Sequence, residues 1–169
     1  PWPPPYDEAL GMHVALDGDT TARWINVATY NVMTLRKIGA LHVFADQMRI
    51  HGLAFVGVQD TRSTQTGTST LHTKAGKFII ATAECNHAGV YGCALWFDGG
   101  VKWNSGLGRA VVVEDDVAVL SADPRWLVVK LQAPFASAVF VVAHGPHKGD
   151  FLSPILISDP TILLSISYA

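Results

Sequence analysis

The feature that most constrains the fold is a change of hydrophobic period near the start of the chain. Residues 24–32 are rich in Ile, Val, Thr and Tyr, which predicts a buried strand. Through residues 36–51 the apolar side chains recur every three or four positions, which predicts an amphipathic helix ended by Gly52. The apolar residues of this helix are Ile38, Leu41, Phe44, Ala45 and Met48. Residues 53–58 predict a second strand, so we expect a βαβ unit with both strands in one sheet.

The rest of the chain is predicted to be a polar loop followed by β-structure. Residues 61–77 are rich in Ser, Thr and Gly, which predicts a loop. Short apolar runs separated by Gly and Asp predict strands at 78–82, 92–97, 111–113, 117–120, 126–132 and 138–143. The fold class expected is α/β, a partial two-layer α/β sandwich with a mostly antiparallel sheet.

The two ends of the chain differ from the middle in composition. Residues 1–22 begin Pro-Trp-Pro-Pro-Pro and predict an extended, linker-like extension before a domain at 23–150. Residues 151–169 form a very apolar tail, which Pro154, Asp159 and Pro160 interrupt, so it makes a poor membrane span. We expect no membrane partner. We expect this tail to pack back against the domain, or else the chain to be poorly soluble.

Composition favours a folded domain and argues against strong electrostatic capture of nucleic acid. The chain is 49% hydrophobic and 15% charged, which excludes disorder by composition. Its net charge is −2 and it contains no run of Lys or Arg, although a cleft can still be basic locally. The two cysteines, Cys85 and Cys93, are expected to be reduced thiols.

Three predicted strands end in side chains suited to metal and phosphate chemistry. Asn31 ends the first, Asp60 follows the second, and His144 follows the run that ends at Ala143. If the three lie at one end of their strands, they can build a site for a hard metal and a phosphate. Simpler interpretations are a turn or helix N-cap for Asn31 and a loop cap for Asp60. A zinc site at His144 and His147 lacks further ligands at suitable spacing.

Five segments in order resemble a known family. They are Ala28-Thr29-Tyr30-Asn31-Val32, Val58-Gln59-Asp60-Thr61-Arg62, Gly89-Val90-Tyr91-Gly92-Cys93-Ala94-Leu95-Trp96, Pro124-Arg125-Trp126-Leu127-Val128-Val129 and Val142-Ala143-His144-Gly145-Pro146-His147. With them the chain resembles the endonuclease/exonuclease/phosphatase superfamily, whose fold is DNase I-like. Within that superfamily it is most similar to the endonuclease domains of LINE-type retrotransposons. The resemblance spans residues 24–150, which match the N-terminal portion of such a domain.

The resemblance implies a role for each site residue. Asp60 would be the ligand of a weakly bound Mg²⁺ or Mn²⁺, and Asn31 would help to orient the metal or the scissile phosphate. His144 would lie beside that phosphate, polarising it or assisting proton transfer. Arg62, Arg125 and His147 would contact the substrate, although Arg125 at a strand start is also explained as a surface cation. The implied partner is DNA, and the implied context is a polyprotein with reverse transcriptase. The implied location is intracellular, and nuclear if the chain derives from a retroelement.

The sequence departs from the family pattern in two ways. The family has Glu where this chain has Asp60, whose side chain is shorter by about 1.5 Å. The family's later Gly-Asp-x-Asn and Ser-Asp-His segments have no counterpart; Lys148-Gly149-Asp150-Phe151 resembles only the start of Gly-Asp-x-Asn. We therefore expect a truncated Mg²⁺-dependent endonuclease domain of retroelement origin, weakly active or inactive alone. The alternatives are a non-catalytic remnant or binding module on the same fold, and an unrelated α/β binding module.

Overall fold

The computed structural model describes residues 11–14, 23–103, 110–144 and 161–166, with the backbone alone for 11–14, 23–24 and 161–166. Within these ranges the chain forms ten β-strands, one α-helix and a single 3₁₀ turn at Glu114–Asp116. The elements are β1 (Gly11–Val14), β2 (Arg23–Asn31), α1 (Ala40–Ile50), β3 (Leu53–Gln59), β4 (Gly67–Thr73), β5 (Gly76–Ala83), β6 (Cys93–Asp98), β7 (Val117–Asp123), β8 (Trp126–Ala133), β9 (Ala136–Ala143) and β10 (Thr161–Ile166).

The described strands form two sheets. The first has the order β1-β2-β3-β6-β5-β4, and the second has the order β10-β9-β8-β7. Strands β2 and β3 are parallel, as the predicted βαβ unit requires. The other neighbouring pairs among the described strands are antiparallel. A mixed α/β fold with mostly antiparallel sheets is thus confirmed.

Helix α1 covers one face of the first sheet. Its buried residues are Phe44, Ala45 and Met48, and Phe44 packs edge-on against Trp96 with ring centroids 5.0 Å apart. The helix begins at residue 40 and not at 36 as expected, because Gly39 adopts a left-handed conformation with φ 80°. Ile38 therefore lies outside the helix and is exposed. Gly52, with φ 60°, follows the helix as predicted.

The opposite face of the first sheet packs against the second sheet. Phe55 on β3 and Phe97 on β6 both contact the ring of Phe140 on β9, at centroid distances of 4.9 and 5.4 Å. Strand β8 alternates, with Leu127 and Leu131 fully buried towards the first sheet. The described layers are therefore helix, sheet and sheet, and all seven residues of β3 are buried between them.

Two of the predicted elements are wrong. Residues 67–73 lie in the segment expected to be a loop but form strand β4, which pairs with β5 through a tight turn at residues 74–75. β4 is an edge strand with no fully buried residue, so its polar Ser and Thr side chains are tolerated. Residues 111–113 were expected to be a strand but form none; Val112 is buried there without a strand partner.

Parts of both predicted end segments join the sheets. Strand β1, within the predicted extension 1–22, pairs with β2. Strand β10, within the predicted tail 151–169, pairs with β9 from Thr161 to Ile166, as expected of a tail that packs back. The rest of these two segments lies outside the described residues.

Among the described residues, no helix is both long enough and apolar enough to cross a membrane.

A partly buried ion pair ties α1 to the first sheet. The Nη2 atom of Arg49 lies 2.8 Å from Oδ1 of Asp98, whose side chain is only 1% exposed. Burial raises the pKa of Asp98 above its ordinary value, and the Arg49 charge opposes that rise. The guanidinium also lies over the ring of Phe78. Gly100 leaves room for it, since a Cβ there would come within 2.9 Å of Arg49 Nη1.

We expect Arg49→Gln to destabilise the protein by about 1–3 kcal/mol, because it leaves the buried Asp98 carboxylate without its countercharge. The raised folded-state pKa of Asp98 means that stability falls as pH rises above the group's ordinary value of 3.8. The deficit of Arg49→Gln should therefore be larger at pH 7 than at pH 4. Urea unfolding at the two pH values measures it.

Two variants control this experiment. Lys37→Gln removes an exposed cation and should change stability by less than about 0.5 kcal/mol. Adding Asp98→Asn to Arg49→Gln should recover part of the loss at pH 7, because no buried charge is left. A double variant no more stable than Arg49→Gln alone would contradict this account.

Candidate functional site

The strand topology brings Asn31, Asp60 and His144 to one end of the molecule. Asn31 ends β2 and Asp60 follows β3, and the carboxyl ends of parallel neighbours lie at the same sheet edge. His144 follows β9, whose inner face packs on the first sheet. The expected placement of these three residues is confirmed by their contacts.

The Asp60 carboxylate is the centre of this cluster. Its Oδ2 atom accepts a hydrogen bond from Asn31 Nδ2 at 3.3 Å and lies 3.5 Å from His144 Nε2. The side chain of His144 is 6% exposed and that of Asp60 is 16% exposed, so the contact is largely shielded from water. Asn31 Oδ1 accepts the backbone N–H of Met33 at 3.0 Å, which fixes the amide with its NH₂ group towards Asp60. In this arrangement Asn31 positions the carboxylate.

Tyr91 links His144 to Arg125. The Tyr91 ring meets the His144 ring edge-on with centroids 5.2 Å apart. The guanidinium of Arg125 lies over the same ring, 4.8 Å from its centroid, and its Nη2 donates to the Tyr91 hydroxyl at 3.4 Å. The backbone N–H of His144 donates to the carbonyl of Arg125 at 2.8 Å. Arg125 is thus fixed beside His144 and does not behave as a solvated surface cation.

Backbone hydrogen bonds join the loops of the two sheets at this end. Gly92 N–H donates to Pro124 O at 2.8 Å, which connects the loop before β6 to the turn before β8. Arg62 N–H donates to Tyr91 O at 2.8 Å, and Thr61 N–H donates to Gly92 O at 3.1 Å. The loops that carry Asp60, Arg62, Tyr91 and Arg125 are therefore held together by main-chain contacts.

Backbone strain is concentrated at the same end. In the described part of the chain, the non-glycine residues with left-handed backbone are Met33, Asp60, Arg62 and Tyr91, with φ between 55° and 68°. Asp tolerates this conformation, whereas the other three residue types seldom adopt it. Residues held in such conformations cluster at functional sites, where the surrounding contacts impose the geometry.

The site is locally basic although the protein is not. Arg62 is half-buried, and its Nε atom is buried without a hydrogen-bond partner among the described residues. Arg36 lies near the loop before β6, since a Cβ on Gly89 would be 3.9 Å from its Nη1. Arg125, on the Tyr91 ring, is a third arginine at this end of the molecule. A buried N–H with no partner favours an anionic ligand.

The cluster offers one carboxylate to a metal. In the part of the chain that the structure describes, no group of three or more His, Cys, Asp or Glu side chains is arranged to hold a metal ion. Oδ1 of Asp60 accepts no hydrogen bond from the described residues and is available to a cation. Mg²⁺ is often held by one or two carboxylates with several waters retained, so the donor set fits a weakly held Mg²⁺ or Mn²⁺.

The other predicted site residues are distributed as follows. Arg62 and Arg125 lie at the same end as the Asp60 cluster, whereas His147 lies outside the described residues. Tyr91 belongs to one of the five segments of the resemblance but is not among the predicted site residues. The sequence signal that could have indicated it is its position directly before Gly92 and a buried apolar strand.

Comparison of the chain with models of known families, with curated proteins and with solved structures finds no match for it.

Cys93 lies under the site as a buried, inert thiol. Burial, with the nearby charges of Asp60 and Asp123, raises the pKa of Cys93 to about 12. Its Sγ lies 3.8 Å from Pro124 O. Cys85 is half-buried in the loop before β6, and both cysteines are free thiols, as expected.

We expect the two thiols to react at very different rates. Because the thiolate is the reactive form, Cys93 should stay unmodified in the folded protein at pH 8 while Cys85 reacts. Titration with Ellman's reagent should show one thiol in the native protein and two after denaturation. In a Cys85→Ser variant the native signal should disappear; if it persists, Cys93 is accessible and its assigned environment is wrong.

We expect Gly92→Ala to disrupt the site end of the fold. Gly92 has φ +94°, and a Cβ there would lie 2.8 Å from Thr61 Oγ1 and 3.1 Å from Arg62 N. Strain and overpacking together should cost roughly 2–4 kcal/mol in urea unfolding. Gly39→Ala is the matched control, because Gly39 has φ +80° but nothing within 4 Å of its Cβ position. It should cost only about 1 kcal/mol; equal losses in the two variants would show that crowding at Gly92 is unimportant.

Proposed function

We propose that this chain is a metal-dependent phosphodiesterase domain of the DNase I-like type that acts on nucleic acid. The observation that carries the proposal is the contact of Asn31 and His144 with one carboxylate, Asp60, at the end of two packed sheets. These residues come from three separate strands, and the motif resemblance predicts these same three as the site. No single sequence motif explains why residues from three strands meet at one carboxylate.

The layer order supports the same proposal. Two face-to-face sheets with a helix on the outer face of one are what a DNase I-like sandwich requires of this part of the chain. The resemblance to LINE-type endonuclease domains extends the proposal further. It gives the chain a retroelement origin, DNA as its substrate and a place in a polyprotein with reverse transcriptase.

Each side chain would have a separate role in the proposed reaction. Arg62 and Arg125 are suited to binding the phosphodiester oxygens, because a guanidinium donates two parallel hydrogen bonds to such a group. His144 Nε2, when protonated, donates to the phosphate or gives its proton to the leaving oxygen. Asp60 Oδ2 lies 3.5 Å from that nitrogen, and the Tyr91 ring packs edge-on against the imidazole.

Asp60 is the residue that would hold Mg²⁺ or Mn²⁺, with Asn31 orienting its carboxylate. A bound cation supplies positive charge to neutralise the phosphate in the transition state. Because Asp60 is one carbon shorter than the family's Glu and is the single carboxylate of the cluster, we expect weak metal binding and slow turnover.

A second candidate function is a non-catalytic phosphate- or nucleic-acid-binding module on the same fold. The orientation of Asn31 favours it, since its amide oxygen already accepts the Met33 N–H and its NH₂ group faces Asp60. Metal-dependent cleavage of DNA distinguishes the phosphodiesterase from the binding module.

We expect slow nicking of supercoiled plasmid that requires Mg²⁺ or Mn²⁺ and stops with EDTA. Asp60→Ala should abolish it, because the metal ligand is lost. His144→Ala should lower the rate by about 10²-fold or more, the effect of losing a proton-transfer group. Agarose gels measure the conversion of supercoiled to relaxed plasmid over time.

Matched controls come from exposed residues of the same types. Asp115→Ala and His42→Ala remove an exposed carboxylate and an exposed imidazole and should leave nicking unchanged. Nicking that survives both Asp60→Ala and His144→Ala would refute the assigned site. No nicking above background, with retained binding of a DNA strand, would favour the binding module.

A further inference from the structure

Trp126 is the exposed aromatic residue closest in sequence to the site. Trp126 is 47% exposed, and no other Phe, Tyr or Trp whose side chain the structure describes is exposed. An exposed indole offers a large flat face on which a ligand ring can stack. Trp126 Nε1 donates to Ser121 Oγ on the neighbouring strand at 3.4 Å, which helps to fix the indole.

The register places Trp126 on the flank of the site. It follows Arg125 directly and pairs with Ala143, the residue before His144. Since strand side chains alternate and Leu127 is fully buried between the sheets, the indole lies on the outer face of the second sheet. The preceding residue, Arg125, is held on the Tyr91 ring. The site end thus combines guanidinium groups with an adjacent exposed ring.

The geometry points to Trp126 as a stacking platform for a nucleobase next to the phosphate held at the Asp60 cluster. This inference rests on the proposed function and narrows its substrate to single-stranded or locally unpaired nucleic acid. Proteins that bind single strands combine positive charge along the backbone with aromatic rings on which bases stack. Arg62 and Arg125 supply the charge, and Trp126 supplies the ring. A base inside an intact duplex offers no free face for stacking.

The test is binding of a fluorescein-labelled oligo(dT) strand of about 16 nucleotides, measured by anisotropy in EDTA so that no cleavage occurs. Trp126→Ala should bind about tenfold more weakly than the unmodified chain, whereas Trp126→Phe should retain most of the affinity. An abasic strand of the same length should bind the unmodified chain and Trp126→Ala equally, because it has phosphates but no bases.

Leu120→Ala is the matched control. Leu120 is 56% exposed on neighbouring strand β7, and its loss should leave binding unchanged. Because binding is measured without metal, it does not depend on cleavage, so failure of the nicking assay leaves this test intact. Quenching of intrinsic tryptophan fluorescence by oligo(dT), and not by the abasic strand, gives a second readout that needs no variant.

The inference is overturned if Trp126→Ala binds oligo(dT) within about twofold of the unmodified chain, since stacking predicts a larger loss. It is also overturned if Trp126→Ala loses affinity equally for the abasic strand, because the effect is then structural. Nicking that depends on Asp60, together with either result, would preserve the proposed function and remove only the role of Trp126.

Discussion

Strand β3 is covered on both faces, and the rest of the structure depends on that burial. Helix α1 lies on one side of it and the second sheet on the other, so all seven residues from Leu53 to Gln59 are buried. A strand in this position has no solvent face, which makes a one-residue shift of register very costly. The parallel pairing of β2 with β3 is fixed in turn, and Asn31 and Asp60 come to the same edge.

The site end is held by the backbone more than by side-chain packing. Hydrogen bonds from Gly92 to Pro124 and from Arg62 to Tyr91 connect loops that belong to different strands. They also explain why Asp60, Arg62 and Tyr91 keep left-handed conformations that cost of order 1 kcal/mol or more each. The strained conformations at this end therefore lower the stability of the fold. Such strain is found in proteins whose loops carry function.

The electrostatics of the site differ from those of the whole chain. A net charge of −2 predicts no long-range attraction to nucleic acid, and three arginines at one end supply a local one. The carboxylate of Asp60, at the same end, contacts both Asn31 and His144. In the proposed phosphodiesterase, this position would make metal binding, proton transfer and phosphate binding mutually dependent. Substitution of Asp60 is therefore expected to affect all three.

The local pattern of apolar residues was sufficient to predict an element where burial of one of its faces determines its structure. The period of the apolar residues predicted α1 and the strands β2, β3, β5 and β6, and the polar residues at the strand ends predicted Asn31, Asp60 and His144 as neighbours. The apolar period did not predict β4, because an edge strand needs little burial and tolerates Ser and Thr. It wrongly predicted a strand at residues 111–113, where Val112 is buried without strand pairing. Edge pairing depends on partners distant in sequence, which local period does not encode.

The sequence by itself determined the βαβ unit, the mixed α/β class and the candidate residues, because hydrophobic period and strand-end chemistry are local properties. Only the tertiary structure decided that Tyr91 joins His144 to Arg125, that Asn31 turns its NH₂ group to Asp60, and that Trp126 stays exposed on the outer face of the second sheet. These facts depend on how two sheets pack and on loop conformations with positive φ. Both arise from contacts between residues tens of positions apart, which no local pattern specifies.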